Sequence, residues 1–148
     1  MQNDRPGSAE ELRHDLSIAM HWRGDWRFEA GRDGGPTILI DGHSKVGPSP
    51  TETLLSAMAG CTAVDVVAIL EKRRTPPTAL AIAVRAERAE GTPRRLVKVH
   101  LTYRITGKGI DRSQAERAIE LAVTKYCTVR DSMDPAMPVL WSLELVEG

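Results

Sequence analysis

An α+β fold is predicted, in the order βββ-α-ββ-α-β, from three observations. Short runs alternate apolar and polar residues, two longer segments carry helical periodicity, and glycine and proline punctuate the joins. The chain has 148 residues, 41% of them hydrophobic, enough for one domain with a real core. Residues 1–14 are polar and acidic and read as a flexible tail, and residues 15–148 read as a single domain.

From the N-terminus, Leu16, Ile18, Met20 and Trp22 alternate with small or polar neighbours. The pattern resumes at Trp26, Phe28 and Ala30 across Gly24-Asp25, which predicts a hairpin. Gly31-Arg32-Asp33-Gly34-Gly35-Pro36 is a turn cluster, and Thr37 to Asp41 is a third strand. Gly47-Pro48-Ser49-Pro50 is a stiff lead-in whose last proline suits the first turn of a helix. That helix runs to about Arg74, where Thr75-Pro76-Pro77 stops it. It is apolar nearly all round, with Ser56, Ala57, Ala59, Gly60 and Ala63 allowing close backbone approach. A helix without a polar face must be covered on every side, so an obligate homodimer is expected.

Two strands follow, Leu80 to Glu87 and Val97 to Ile105, joined by a turn at Gly91-Thr92-Pro93. Asp111 or Ser113 caps a second helix, with Ser113-Gln114-Ala115-Glu116 as a capping box. Its apolar stripe is Ile119, Ala122, Val123, Tyr126 and Cys127, so Cys127 ends the helix. Val139, Trp141, Leu143 and Leu145 form the last strand.

Composition excludes several classes of function. Twenty basic residues balance twenty acidic ones, and aromatic residues make up 4%. A concentrated positive field for nucleic acid or an anionic membrane surface is therefore not expected. The stretch Leu54 to Leu70 approaches transmembrane length but contains Asp65, and a buried core helix is the better reading. The start of the chain lacks the apolar run of a secretory signal, so a cytoplasmic protein is expected. His21, His43 and His100 are scattered without metal-binding spacing, and no metal is expected.

Chemistry then rests on two cysteines, Cys61 and Cys127, one on each helix. Each alone reads first as a small core hydrophobe. Cys61 lies too far into its helix to draw on the N-terminal dipole, so a cation from elsewhere must support a thiolate there. Lys125, in Lys125-Tyr126-Cys127, and the pairing of both thiols on core helices favour function. In a reducing cytosol, a disulfide between them would be transient.

The run Gly47-Pro48-Ser49-Pro50-Thr51-Glu52-Thr53-Leu54-Leu55-Ser56-Ala57-Met58-Ala59-Gly60-Cys61-Thr62-Ala63-Val64-Asp65-Val66-Val67, with Lys125-Tyr126-Cys127 further on, resembles the OsmC/Ohr superfamily. The similarity extends from about Trp26 to the C-terminus. The resemblance implies an intertwined α+β homodimer with two central helices packed between sheets. It also implies a cysteine-based peroxidase that reduces organic hydroperoxides to alcohols through a cysteine sulfenic acid and an intramolecular disulfide. Cys61 matches the peroxidatic cysteine and Cys127 the resolving one. No cofactor is implied beyond an external dithiol reductant, of which a lipoylated protein is one source.

Two more positions come from the resemblance. Gly31-Arg32-Asp33-Gly34 looks like the loop whose arginine supports the thiolate; otherwise Arg32 is a solvated turn residue. The family's glutamate ten positions before the cysteine falls here on Thr51, and Glu52 is the nearest acid. Nine residues at about 100° each put Glu52 opposite Cys61 on an ideal helix, and its plainer role is to complement the helix dipole. Asp65, one turn beyond Cys61, is expected to anchor backbone or an arginine. Met58, Ala59, Trp22, Trp26 and Phe28 read as core residues and, beyond that, as walls of an apolar pocket. The alternative is a non-catalytic dimer of the same fold that binds a small apolar ligand and keeps its cysteines buried and inert.

Overall fold

The computed structural model describes residues 16–148, and the tail expected over 1–14 lies outside the described residues. The elements follow the order βββ-α-ββ-α-β, with a short third helix before the last strand. The chain divides into two compact units, one ending at Pro50 and one spanning Thr51–Gly148.

The first unit is an antiparallel meander of β1 (Ala19–Trp22), β2 (Arg27–Gly31) and β3 (Thr37–Asp41). Gly24 and Asp25 both take positive φ, 87° and 48°, so the β1–β2 turn matches the twist of its strands. Trp22 Nε1 closes that turn by donating to Asp25 O at 2.8 Å. At the β2–β3 turn, a Cβ on Gly31 would collide with Pro36 O, and Gly34 sits at φ 71°. Both glycines are thus required by backbone geometry. The expectation that Trp22 and Trp26 are core residues is corrected: they are 67% and 57% exposed within this unit. Trp26 stacks on His43 instead, with ring centroids 4.1 Å apart.

After β3, the Asp41 side chain organises the loop. Its carboxylate accepts N–H bonds from His43, Lys45 and Val46 at 2.9–3.1 Å. These bonds hold its pKa below the usual carboxylate value, those of His43 and Val46 being the largest causes.

The second unit packs α1 (Pro50–Lys72) and α2 (Arg112–Leu121) with a sheet of order β4-β5-β6. Here β4 is Ala79–Arg88, β5 Leu96–Gly107 and β6 Val139–Glu147. The central strand β5 pairs antiparallel with β4 and parallel with β6. A parallel pairing needs a crossover, and the chain between β5 and β6 supplies it through α2. Val99, Leu101, Tyr103 and Ile105 alternate inward along β5 and are fully buried. They meet Met58, Val66 and Leu70 of α1 and Ala115 and Ile119 of α2 in one core.

Two helix ends differ in detail from the sequence pattern. Helix α1 stops at Lys72 because Arg74 turns to φ 63°, and Thr75 N caps Leu70 O at 3.0 Å. Asp111 alone caps α2, accepting from Ser113 N and Gln114 N, while Glu116 pairs with Arg112 at 3.3 Å and takes no part in a capping box.

Candidate functional site

Helix α1 carries Cys61 on an uninterrupted helical run that begins at Pro50. Met58, Thr62, Val66 and Leu70 recur every four residues and are fully buried, so one narrow stripe faces the core. Cys61 lies beside that stripe, half-buried, and packs against the core cluster.

Cys127 is delivered differently. Beyond α2 the helix loosens into a π turn over Ala122–Tyr126, where Thr124 Oγ1 donates back to Glu120 O at 2.6 Å. Cys127 leaves helical geometry (φ −73°, ψ 101°) and becomes the N-cap of the short helix α3 (Thr128–Asp131). Its sulfur accepts the Arg130 N–H at 3.2 Å, in the place a serine or aspartate oxygen usually takes. Cys127 thus ends the second helical run, as expected, as the C-cap of its π turn, and it also starts the next helix. The apolar spacing gave no signal of this, since a π turn shifts the phase by only one residue.

The two cysteines, both reduced, meet in the second unit. The Cys127 thiol, 3% exposed, donates to Met58 O at 3.9 Å, on the turn of α1 before Cys61, and Cys61 packs against the same core. Burial pushes the Cys127 thiol above its ordinary pKa, and the Arg130 N–H opposes this. Cys61 raises it further, as a nearby group that disfavours the anion must.

Below the pair, Tyr103 reaches from β5 with its hydroxyl 2.6 Å from Thr62 Oγ1, the residue after Cys61. Thr62 in turn donates to Ala59 O at 2.9 Å. Tyr103 was not among the site residues expected from sequence. Its only sequence signal was a tyrosine at an inward position of a strand, where the hydroxyl needs a partner.

The remaining expected residues are placed as follows. Arg32 is exposed in the β2–β3 turn of the first unit, where its carbonyl accepts from Gly35 N at 2.9 Å. Because α1 is regular from Pro50, Glu52 lies about half a turn around the helix from Cys61 and roughly 13 Å back along its axis. Glu52 borders a separate groove with Leu55, Ala59, Ile82 and Val84. Thr51 and Leu54 border another recess, with Arg94, Arg95, Met133 and Met137. Asp65 is half-buried, and its side chain makes no hydrogen bond or ion pair among the described residues. No cluster of three His, Cys, Asp or Glu side chains suited to a metal occurs among the described residues.

Residues 42–142, which contain both cysteines and the core of the second unit, match the family model described as OsmC-like protein. The chain belongs to the OsmC-like protein family. The chain is also similar to Protein YhfA of Escherichia coli strain K12, 36% identical over 113 residues, which cover 76% of this chain and 84% of the relative. Among solved structures, a hypothetical protein from Aquifex aeolicus VF5 superposes with a TM-score of 0.80 at 23% identity, covering 92% of this chain and 99% of the other. The organic hydroperoxide resistance protein OhrB of Bacillus subtilis superposes with a TM-score of 0.55 at 17% identity, covering 88% and 98%. These two likenesses are of fold, and the OsmC-like α+β arrangement is shared with both.

Proposed function

We propose that this OsmC-like protein is a thiol-dependent peroxidase that reduces organic hydroperoxides. The observation that carries the proposal is that Cys61 and Cys127, far apart in sequence, are neighbours: the Cys127 sulfur lies 3.9 Å from Met58 O, on the turn of α1 before Cys61, and Cys61 packs against the core that holds Cys127. Such a pair suits a two-step thiol cycle. The Cys61 thiolate attacks the peroxide O–O bond, leaving a sulfenic acid on Cys61 and an alkoxide that takes a proton to become the alcohol. Cys127 then attacks the sulfenic sulfur, water departs, and a Cys61–Cys127 disulfide remains. An external dithiol returns both thiols and is itself oxidised to a disulfide.

Half-burial suits Cys61 for meeting the peroxide, and the enclosed place of Cys127 in the core beside α1 suits it for attacking a sulfenic acid formed there. Arg32 is the proposed cation that supports the Cys61 thiolate, on the strength of its Gly-Arg-Asp-Gly loop. Glu52 is the proposed acid partner of that arginine, although its place on α1 does not favour direct action on Cys61.

A homodimer in the cytoplasm is part of the same proposal. Apolar surface left uncovered within each unit supports it: Leu54 and Val64 of α1 are 42% and 70% exposed, and Leu16, Ile18 and Met20 are exposed in the first unit. A dimeric mass in solution at micromolar protein is expected, and a monomeric mass would count against it.

The deciding experiment is turnover of cumene hydroperoxide or tert-butyl hydroperoxide with a dithiol, by the wild-type protein and by Cys61→Ser. Activity abolished in the variant supports the proposal. Absence of activity with any dithiol, or activity that survives Cys61→Ser, removes it.

A further inference from the structure

Cys127 has a second face. On a side away from α1, Cys127 lines a recess of about 280 Å³ walled by Val123, Lys125, Met133, Pro135 and Val139. No residue of α1 borders this recess, and Cys61 is not part of its wall. The wall is held in place by Arg130, whose guanidinium donates to the carbonyls of Asp134 at 3.0 Å, Pro135 at 3.5 Å and Met137 at 2.7 Å. Lys125, Arg130 and Asp131 bring charges of both signs to the lining. A recess of this volume admits a small molecule and not a protein surface.

From this arrangement we infer that the recess is the entry site for the reducing dithiol, and that the dithiol attacks the sulfur of Cys127 and not that of Cys61. The inference rests on the redox-active pair proposed above. A thiolate in the recess approaches Cys127 from a side that no residue of α1 borders, while the sulfur to be displaced, Cys61, belongs to α1. Displacement at a disulfide sulfur requires the attacking and departing sulfurs to lie on opposite sides of the one attacked.

The steps balance. The first thiolate of the dithiol forms an S–S bond to Cys127, the Cys61–Cys127 bond breaks, and Cys61 leaves with the electron pair as a thiolate. The second thiol of the reductant loses its proton and attacks its own sulfur partner in the mixed disulfide. A cyclic disulfide leaves, and Cys127 departs as a thiolate that takes up a proton. The protein gains two electrons and the dithiol loses two. The Arg130 N–H on Cys127 Sγ stabilises that departing thiolate. Attack at Cys127 also expels the less enclosed of the two sulfurs first, since Cys61 is half-buried and Cys127 is 3% exposed.

The test forms the disulfide in the full-length protein with diamide, so that it does not depend on peroxide. The oxidised protein is mixed briefly with 2-mercaptoethanol, quenched in acid, alkylated and mapped by peptide mass spectrometry. The expected product carries mercaptoethanol on Cys127 and the alkyl group on Cys61, in at least tenfold excess over the reverse. The reverse pattern, or no Cys61–Cys127 disulfide with diamide, overturns the inference. Val139→Phe, which fills the recess, should slow reduction of the disulfide by dithiothreitol at least tenfold; a wild-type rate would rule out this route of entry. If peroxide makes no disulfide but the diamide-made bond opens at Cys127, the peroxidase proposal falls and the entry site stands.

Discussion

Tyr103 donates its phenolic proton to Thr62 Oγ1 across 2.6 Å, tying the centre of β5 to the residue that follows Cys61 on α1. Both residues are fully buried, and Tyr103 stands in register between Ile82 of β4 and Leu143 of β6. The position of the α1 turn bearing the thiol is therefore referenced to the middle of the sheet.

Tyr103→Phe keeps the ring and loses this bond, while Thr62 retains its own bond to Ala59 O. The expected destabilisation is about 1 kcal/mol, or a fall of roughly 2–4 °C in Tm for a domain of this size. Calorimetry on the two proteins checks it. Burial, opposed in part by the Thr62 bond, pushes the Tyr103 pKa up to about 12. Because the folded value lies above the unfolded one of about 10, the stabilisation is complete below pH 10 and is lost as pH rises toward 12. Phenolate absorbance near pH 12 that is missing in Tyr103→Phe is the matching spectroscopic signature.

Alkylation of Cys127 by iodoacetamide at pH 7 should be at least about tenfold slower than that of a cysteine in the denatured chain, since the residue is 3% exposed and burial pushes its thiol above the ordinary pKa, which depletes the reactive thiolate. The rate should climb with pH beyond the range in which an ordinary thiol levels off. Peptide mapping of a labelling time course reads both. Labelling of Cys127 as fast as in urea would contradict the burial and the cap that hold it.

The loop after β3 depends on one carboxylate. In Asp41→Ala, the amides of His43, Lys45 and Val46 lose their acceptor, and each should exchange with solvent about two- to tenfold faster, the range of one hydrogen bond's net worth. The folded pKa of Asp41 is depressed, so its contribution is present above the unfolded value of 3.8 and is lost as pH falls through the lower folded value. Amide exchange followed downward from pH 5 should show the wild-type loop approaching the variant only below pH 3.8. Protection unchanged in the variant would mean the loop is held by other contacts.

How much was legible in the chain differs from element to element. The six strands, the long helix with proline at its start, and the turns at Gly24-Asp25 and Gly31 to Pro36 are all written within windows of a few residues, where periodicity and φ preferences act. Both cysteines could be named as the reactive candidates, and the half-turn between Glu52 and Cys61 follows from helix geometry alone. The π turn before Cys127 escaped because one hydroxyl, Thr124, redirected a bond without disturbing the apolar spacing. Tyr103 escaped because its partner, Thr62, is a neighbour only after the sheet has formed.

The sequence by itself determined an α+β chain with one thiol on each of two helical segments, since alternation, helical spacing and turn residues are local properties. Tertiary structure alone decided that Cys127 lies against the turn of α1 before Cys61, that β6 lies parallel to β5, and that Cys127 borders a recess which α1 does not line. Those relations join residues far apart in the chain. They are set by the packing of α1 and α2 with the second sheet around a common core, which no short stretch of sequence encodes.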